Sequence, residues 1–207
     1  MDDLEARARQ LLDERERVLL GICGAPGSGK STLARHLVAA LGAEAVVVPM
    51  DGFHLDDGEL TRLGRLDRKG APDTFDVDGY RALLARIRAH TDRVVYAPAF
   101  DRDRELSLAG AIAVLPTHRL VVTEGNYLLL DAPGWRDVHA QLDACWYLTG
   151  DQEERRRRLV DRHVLHGRSR EDADAWVTRS DEANARLVET SRSRADLVVD
   201  LDHLAGA

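Results

Sequence analysis

Lys30 closes the run Gly24-Ala25-Pro26-Gly27-Ser28-Gly29-Lys30, and Ser31 and Thr32 follow it directly. Glycines at this spacing let successive backbone N–H groups turn into one concavity, and a helix starting there adds its positive end, so the stretch reads as a phosphate-binding loop. In that reading Lys30 reaches the β- and γ-phosphates of ATP, Ser31 offers its hydroxyl to Mg²⁺, and Thr32 touches the α-phosphate. The alternative is a tight Gly/Ser turn without a ligand. Arginine serves as the cation nearly everywhere else: of the 29 Lys and Arg residues only Lys30 and Lys69 are lysines. A compact ammonium fits between phosphates where a planar fork does not, which gives Lys30 a reason and singles out Lys69.

Two carboxylates recur in one setting, the last position of a short apolar run. Asp51 follows Ala45-Val46-Val47-Val48-Pro49-Met50, and Glu124 follows Leu120-Val121-Val122-Thr123. Runs of this kind suit strands buried on both faces of a parallel sheet, and ligands in such sheets bind at the strand ends. Asp51 is therefore the candidate general base, with His54 beside it as a candidate substrate contact. Glu124 is the candidate partner of Mg²⁺ and of substrate. The polar segment 55–76 is long for a connection and carries Arg65, Arg68, Lys69, Asp73 and Asp76, a mixed-charge cluster suited to a polar or anionic acceptor. Tyr96, Phe100, Asp101 and Arg102, at the end of a further strand, are candidates for the acceptor pocket. Arg162 and Arg168 flank Gly167 and are the candidates for a lid closing over the transferring phosphoryl group.

The elements that must position these groups follow from the hydrophobic pattern. An amphipathic helix is expected over 3–16, a strand over 18–23, and a helix over 30–41 with Gly42 as its stop. A helix is expected from Asp78, as its cap, to His90, with Tyr80, Leu83, Leu84 and Ile87 facing inward. Strands are expected at 45–50, 93–97, 120–124, 143–148 and 197–201, with a short one at 112–115. A charged helix over 151–166 and a second over 171–191 complete the chain. Asp151–Arg155 and Glu154–Arg158 are i,i+4 pairs, so part of that charge belongs to a solvated face. Trp135 and Trp176 sit at core spacing.

A length of 207 residues with 44% hydrophobic content suits one domain over 1–207, with the lid at about 151–170. The formal charge of −7 and pI near 5.6 speak against nucleic acid as the main partner. Cys23 and Cys145 lie in apolar stretches without zinc-ligand spacing and read as buried thiols of a reducing compartment. The charged start of the chain and the lack of a membrane-length apolar run point to the cytoplasm and away from a membrane. A homodimer is the oligomeric form kept open.

Gly24 to Ser31, Met50-Asp51-Gly52-Phe53, Arg68-Lys69-Gly70-Ala71-Pro72-Asp73-Thr74-Phe75-Asp76, Tyr96-Ala97-Pro98-Ala99-Phe100-Asp101 and Glu124-Gly125-Asn126-Tyr127 together resemble the P-loop kinases of the uridine kinase, phosphoribulokinase and bacterial pantothenate kinase family. The resemblance runs from residue 18 to about 200 and is strongest to the small nucleoside/nucleotide kinase-like branch. It implies a doubly wound, mainly parallel five-stranded sheet with helices on both faces and a helical lid. It also implies an ATP- and Mg²⁺-dependent transfer of phosphate to a hydroxyl of a nucleoside-, sugar- or pantothenate-like metabolite. By the resemblance Asp51 is the base, Glu124 assists metal and substrate, and lid arginines such as Arg162 and Arg168 approach the phosphates. The competing reading is a nucleotide-dependent switch with slow hydrolysis. A GTPase of that kind would need an Asn-Lys-x-Asp segment, and a transporter ATPase a Ser-Gly-Gly signature, neither of which occurs.

Overall fold

The computed structural model describes residues 1–13, 15–89 and 92–201. Helix α1 (Asp2–Asp13) buries Leu4, Ala8 and Leu12, spaced about a turn apart. Strand β1 (Val18–Gly24) is buried along its whole length and delivers the phosphate loop to α2 (Lys30–Leu41). Gly42 ends α2 with φ 67°, a conformation that costs glycine little. Strand β2 (Ala45–Pro49) ends in a 3₁₀ turn, Met50–Phe53. Then come α3 (Asp57–Arg62), α4 (Val77–Arg88), β3 (Val95–Asp101), β4 (Leu106–Val114) and β5 (Leu120–Glu124). The remainder is α5 (Trp135–His139), β6 (Ala144–Thr149), α6 (Gln152–Leu165), α7 (Arg170–Trp176), α8 (Glu182–Glu189) and β7 (Leu197–Asp200).

Five strands form one parallel sheet in the order β2-β5-β1-β6-β7. Side chains alternate between its faces, so each strand feeds two apolar layers. On one face Leu20, Ile22, Val122 and Trp146 pack under α1 and α2; on the other Leu19, Val121, Cys145 and Tyr147 pack under α4, α5 and α8. Both cysteines are buried and free. A third small cluster, Leu159, Val160, Ala173 and Val177, holds α6 to α7. Among the described residues no helix is long and apolar enough to cross a membrane.

Several local expectations change. Strand β2 is the sheet edge, so Val46 and Val47 are only half-buried and not enclosed on both faces. Asp76, not Asp78, caps α4, its carboxylate accepting from Gly79 N at 2.9 Å. His90, the expected end of that helix, lies outside the described residues, as does Glu14 of the first helix. Segment 55–76 contains α3, capped by Asp56, rather than being irregular throughout. Pro98 does not end β3. A register shift between Ala97 and Ala99 absorbs it, and β3 continues to pair with β4 in a separate antiparallel hairpin. The helix expected over 171–191 is divided by a π-helical turn at Val177–Asp181.

Candidate active site

The phosphate loop sits where β1 ends, between β5 and β6, and its glycines are required by contact as well as by conformation. Gly27 has φ 77°, and a Cβ there would come within 2.8 Å of Leu159 and 3.0 Å of the Arg155 carbonyl, both on α6. Gly29 has φ 90° immediately before α2. Lys30 is buried and folds back over the loop, donating to the carbonyls of Gly24 (3.0 Å) and Ala25 (2.9 Å). Burial lowers its pKa, against the opposing pull of Glu124. Ser31 Oγ donates to Glu124 Oε1 at 2.9 Å, so the helix start and the end of β5 meet at one point.

Asp51 stands on the turn after β2, and Gly52 beside it lets the hairpin close in: a Cβ on Gly52 would lie 2.5 Å from the Pro98 carbonyl. The approach brings Arg102 Nη2 to Asp51 Oδ2 at 2.6 Å. Burial pushes the Asp51 carboxyl up, but His54, Arg102, Lys30 and Arg162 outweigh it, and the group is held below the ordinary carboxylate value. Glu124 is driven the opposite way, by burial first and then by the charge of Asp51. The two carboxylates thus differ in proton affinity because their neighbours differ. His54 Nδ1 pairs with the Asp51 carbonyl at 2.8 Å, and its ring lies between Phe75 (centroids 4.1 Å apart) and Phe100 (4.6 Å). Burial lowers its pKa, against the opposing pull of the Asp51 charge.

All these groups open onto one cavity of about 1210 Å³, also lined by residues 25–32 and by Arg158 and Arg162 of α6 and Arg168 just after it. Gly24 stands just outside it and contributes its carbonyl to Lys30. Arg162 is lowered in pKa by burial and by Arg102, with Asp181, Asp51 and Glu105 acting against them, and its side chain has no hydrogen-bond or ion-pair partner among the described residues. Arg168 stacks on Trp176 at 4.2 Å, and Trp176 is half-buried at the cavity wall rather than in the core; Trp135 is core. A hydroxyl and a carboxylate, Ser31 and Glu124, make a hard oxygen pair suited to Mg²⁺, which needs few protein ligands when phosphates supply the rest.

Of the expected acceptor residues, His54, Lys69, Phe100, Arg102 and Glu124 line the cavity. Arg68, Asp73 and Tyr96 do not, which corrects their placement. Arg68 and Asp73 satisfy each other at 2.9 Å on the outer surface, and Tyr96 is 60% exposed because the pleat of β3 turns it away. Asp101 is used by the hairpin turn, accepting from the backbone N–H groups of Asp103 and Arg104. Lys69 is spoken for by the protein: its ammonium meets Asp57 Oδ1 at 2.7 Å and the Glu105 carbonyl at 2.8 Å. Sequence reasoning missed Arg155, which is 5% exposed and bolts α6 to the phosphate loop through the Pro26 carbonyl (3.1 Å) and to α8 through Glu182. Its signal was its i,i+3 and i,i+4 surroundings, which read as solvated.

The family model for Phosphoribulokinase / Uridine kinase matches residues 19–203. A Schizosaccharomyces pombe protein described as "Putative uridine kinase C227.14" is 38% identical over 96% of this chain and 89% of its own length. A uridine kinase of Halobacterium salinarum is 26% identical over 87% of this chain and 78% of its own length. A solved structure from Silicibacter sp. TM1040, described as a "putative fructose transport system kinase", superposes with a TM-score of 0.85 at 44% identity, covering 95% of this chain and 98% of that one. With a phosphate loop, strand-end acids and a matching fold along nearly its whole length, the chain belongs to the phosphoribulokinase/uridine kinase family and is an ATP-dependent phosphotransferase with an alcohol group as acceptor.

Proposed function

We propose that the chain is a metabolite kinase in which Asp51 is the general base, residues 24–32 hold the triphosphate, and residues 151–170 form a lid on a single domain. Asp51 takes the proton of the acceptor hydroxyl, whose oxygen bonds to the γ-phosphorus as the bond to the β–γ bridging oxygen breaks, and ADP departs. Cationic neighbours hold the Asp51 carboxyl below the ordinary carboxylate value, so the group is ionised at neutral pH. Lys30 and the lid arginines Arg162 and Arg168 face the charge on the transferring group. Ser31 and Glu124 would hold Mg²⁺, which neutralises phosphate oxygens when bound. The acceptor side, with His54, Phe100 and Arg102, receives a nucleoside-, sugar- or pantothenate-like molecule; relatives described as a putative uridine kinase and a uridine kinase fall in this range.

One observation carries the reading: Asp51 shares one cavity with Lys30, Glu124 and Arg162. The test is ADP release from Mg·ATP against a panel of nucleosides, pentoses, hexoses and pantothenate, run with wild type and Asp51→Asn. A rise with one acceptor that falls about 10²–10⁴-fold in the variant is expected. Slow turnover indifferent to acceptor and to Asp51 would mean a nucleotide-dependent switch.

A further inference from the structure

Three segments remote in sequence meet at one backbone carbonyl in the cavity wall. Gly70 lines the cavity, and its N–H is satisfied within its own turn by Thr74 Oγ1 at 3.0 Å. Its carbonyl accepts from the Tyr127 hydroxyl at 2.5 Å and from Asn184 Nδ2 at 3.4 Å. Tyr127 follows Glu124-Gly125-Asn126 at the end of β5, and Asn184 stands on α8. Lys69, the residue before, reaches the Glu105 carbonyl at 2.8 Å, so residues 69 and 70 link the hairpin to the core.

Tyr127 is wholly buried and does not line the cavity, and its ring packs on Trp135 and Phe75 with centroids 5.3 and 5.9 Å away. That packing needs no hydroxyl, and a buried hydroxyl costs free energy unless it is bonded. Burial, joined by the charges of Asp181 and Asp51, pushes its pKa up, so the phenol keeps its proton and donates a hydrogen bond to Gly70. A carbonyl only accepts, which also fixes the carboxamide of Asn184: its nitrogen faces Gly70 and its oxygen is turned elsewhere. Asn184 is 8% exposed and lines the cavity, and its Oδ1 has no hydrogen-bond partner among the described residues. An acceptor atom so nearly enclosed is costly to leave bare, and a donor group on a bound molecule satisfies it.

We infer that Asn184 Oδ1 takes a hydrogen bond from an O–H or N–H group of the phosphate acceptor other than the hydroxyl that is phosphorylated, and that Tyr127 is a positioning residue, holding the Gly70 carbonyl that orients the Asn184 carboxamide. The inference rests on the kinase reading above and deepens its acceptor side.

The test is steady-state kinetics with whichever nucleoside, pentose, hexose or pantothenate of the panel turns over fastest, in wild type, Asn184→Ala, Tyr127→Phe and the double variant. Tyr127→Phe keeps the ring packing and removes only the hydroxyl. Each single variant should raise the KM for the acceptor about three- to tenfold, the worth of one hydrogen bond, while the KM for ATP stays put. In the Asn184→Ala background, Tyr127→Phe should add little further, because its effect passes through the carboxamide. A full, additive effect of Tyr127→Phe in that background would mark the hydroxyl as merely structural and overturn its positioning role. An unchanged acceptor KM in Asn184→Ala, or a rise in the KM for ATP as large as that for the acceptor, would overturn the contact and leave the kinase reading standing. If wild type turns over none of the panel, the kinase reading falls and this inference falls with it.

Discussion

The two ends of the cavity are built by different means. At the phosphate end, Lys30, Ser31 and Glu124 hang from the ends of parallel strands and the first turn of a helix, so a short contiguous motif and two strand-end acids are enough to place them. At the acceptor end, the wall is an antiparallel hairpin outside the main sheet, tied down by charges that are remote in sequence. Arg102 and Asp51 are 51 residues apart, and Lys69 and Glu105 are 36. A rigid sheet supports chemistry that recurs with every turnover. The hairpin is held to the sheet's edge by side-chain ties, Asp51–Arg102 among them.

Substitutions should separate the two ends. The largest effect is expected at their junction: Asp51→Asn lowers kcat about 10²–10⁴-fold with little change in the KM for ATP, read by steady-state kinetics. At the phosphate end, Lys30→Ala removes a preorganised charge and should cost about 10²–10³-fold in kcat with every acceptor alike. Arg155→Met leaves the Pro26 carbonyl and Glu182 without their buried cation. A loss of about 3 kcal/mol by urea denaturation and a weaker ATP affinity are expected. At the acceptor end, Lys69→Met should raise the KM for the acceptor several-fold, lower stability by no more than about 1 kcal/mol because both partners are half-exposed, and spare the KM for ATP. A rise in both KM values together would erase the distinction between the ends.

The smallest effect concerns the core beneath the site. Burial pushes the Cys23 thiol up to about 11, so at about pH 8 it is protonated and enclosed. Maleimide should label it only after unfolding, and rapid labelling of the native protein would show that the sheet is looser under the phosphate loop than its packing implies.

What could be read from the sequence follows the same division. The five parallel strands, α2 with its Gly42 stop, and Asp51, Lys30, Ser31 and Glu124 were legible because apolar runs and their end residues are local signals. Strand β4 was legible only at its end, where a short strand was expected at 112–115: Ala109, Gly110 and Ala111 give no alternation, and the strand pairs with β3 alone. Arg68, Asp73 and Lys69 fell in one mixed-charge cluster, with Lys69 marked only as one of two lysines. Only the folded chain shows that the first two neutralise each other outside while Lys69 turns inward to Asp57 and Glu105. Arg155 was lost in a row of four arginines, and its partner carbonyl at Pro26 is 129 residues away.

The most direct test of phosphoryl transfer at Asp51 is the fate of the γ-phosphate, followed by ³¹P NMR with Mg·ATP and the acceptor that the panel selects. One phosphate ester on the acceptor is expected for each ADP formed, with both lost in Asp51→Asn. ADP matched instead by free inorganic phosphate, formed equally without acceptor and in the variant, would contradict it.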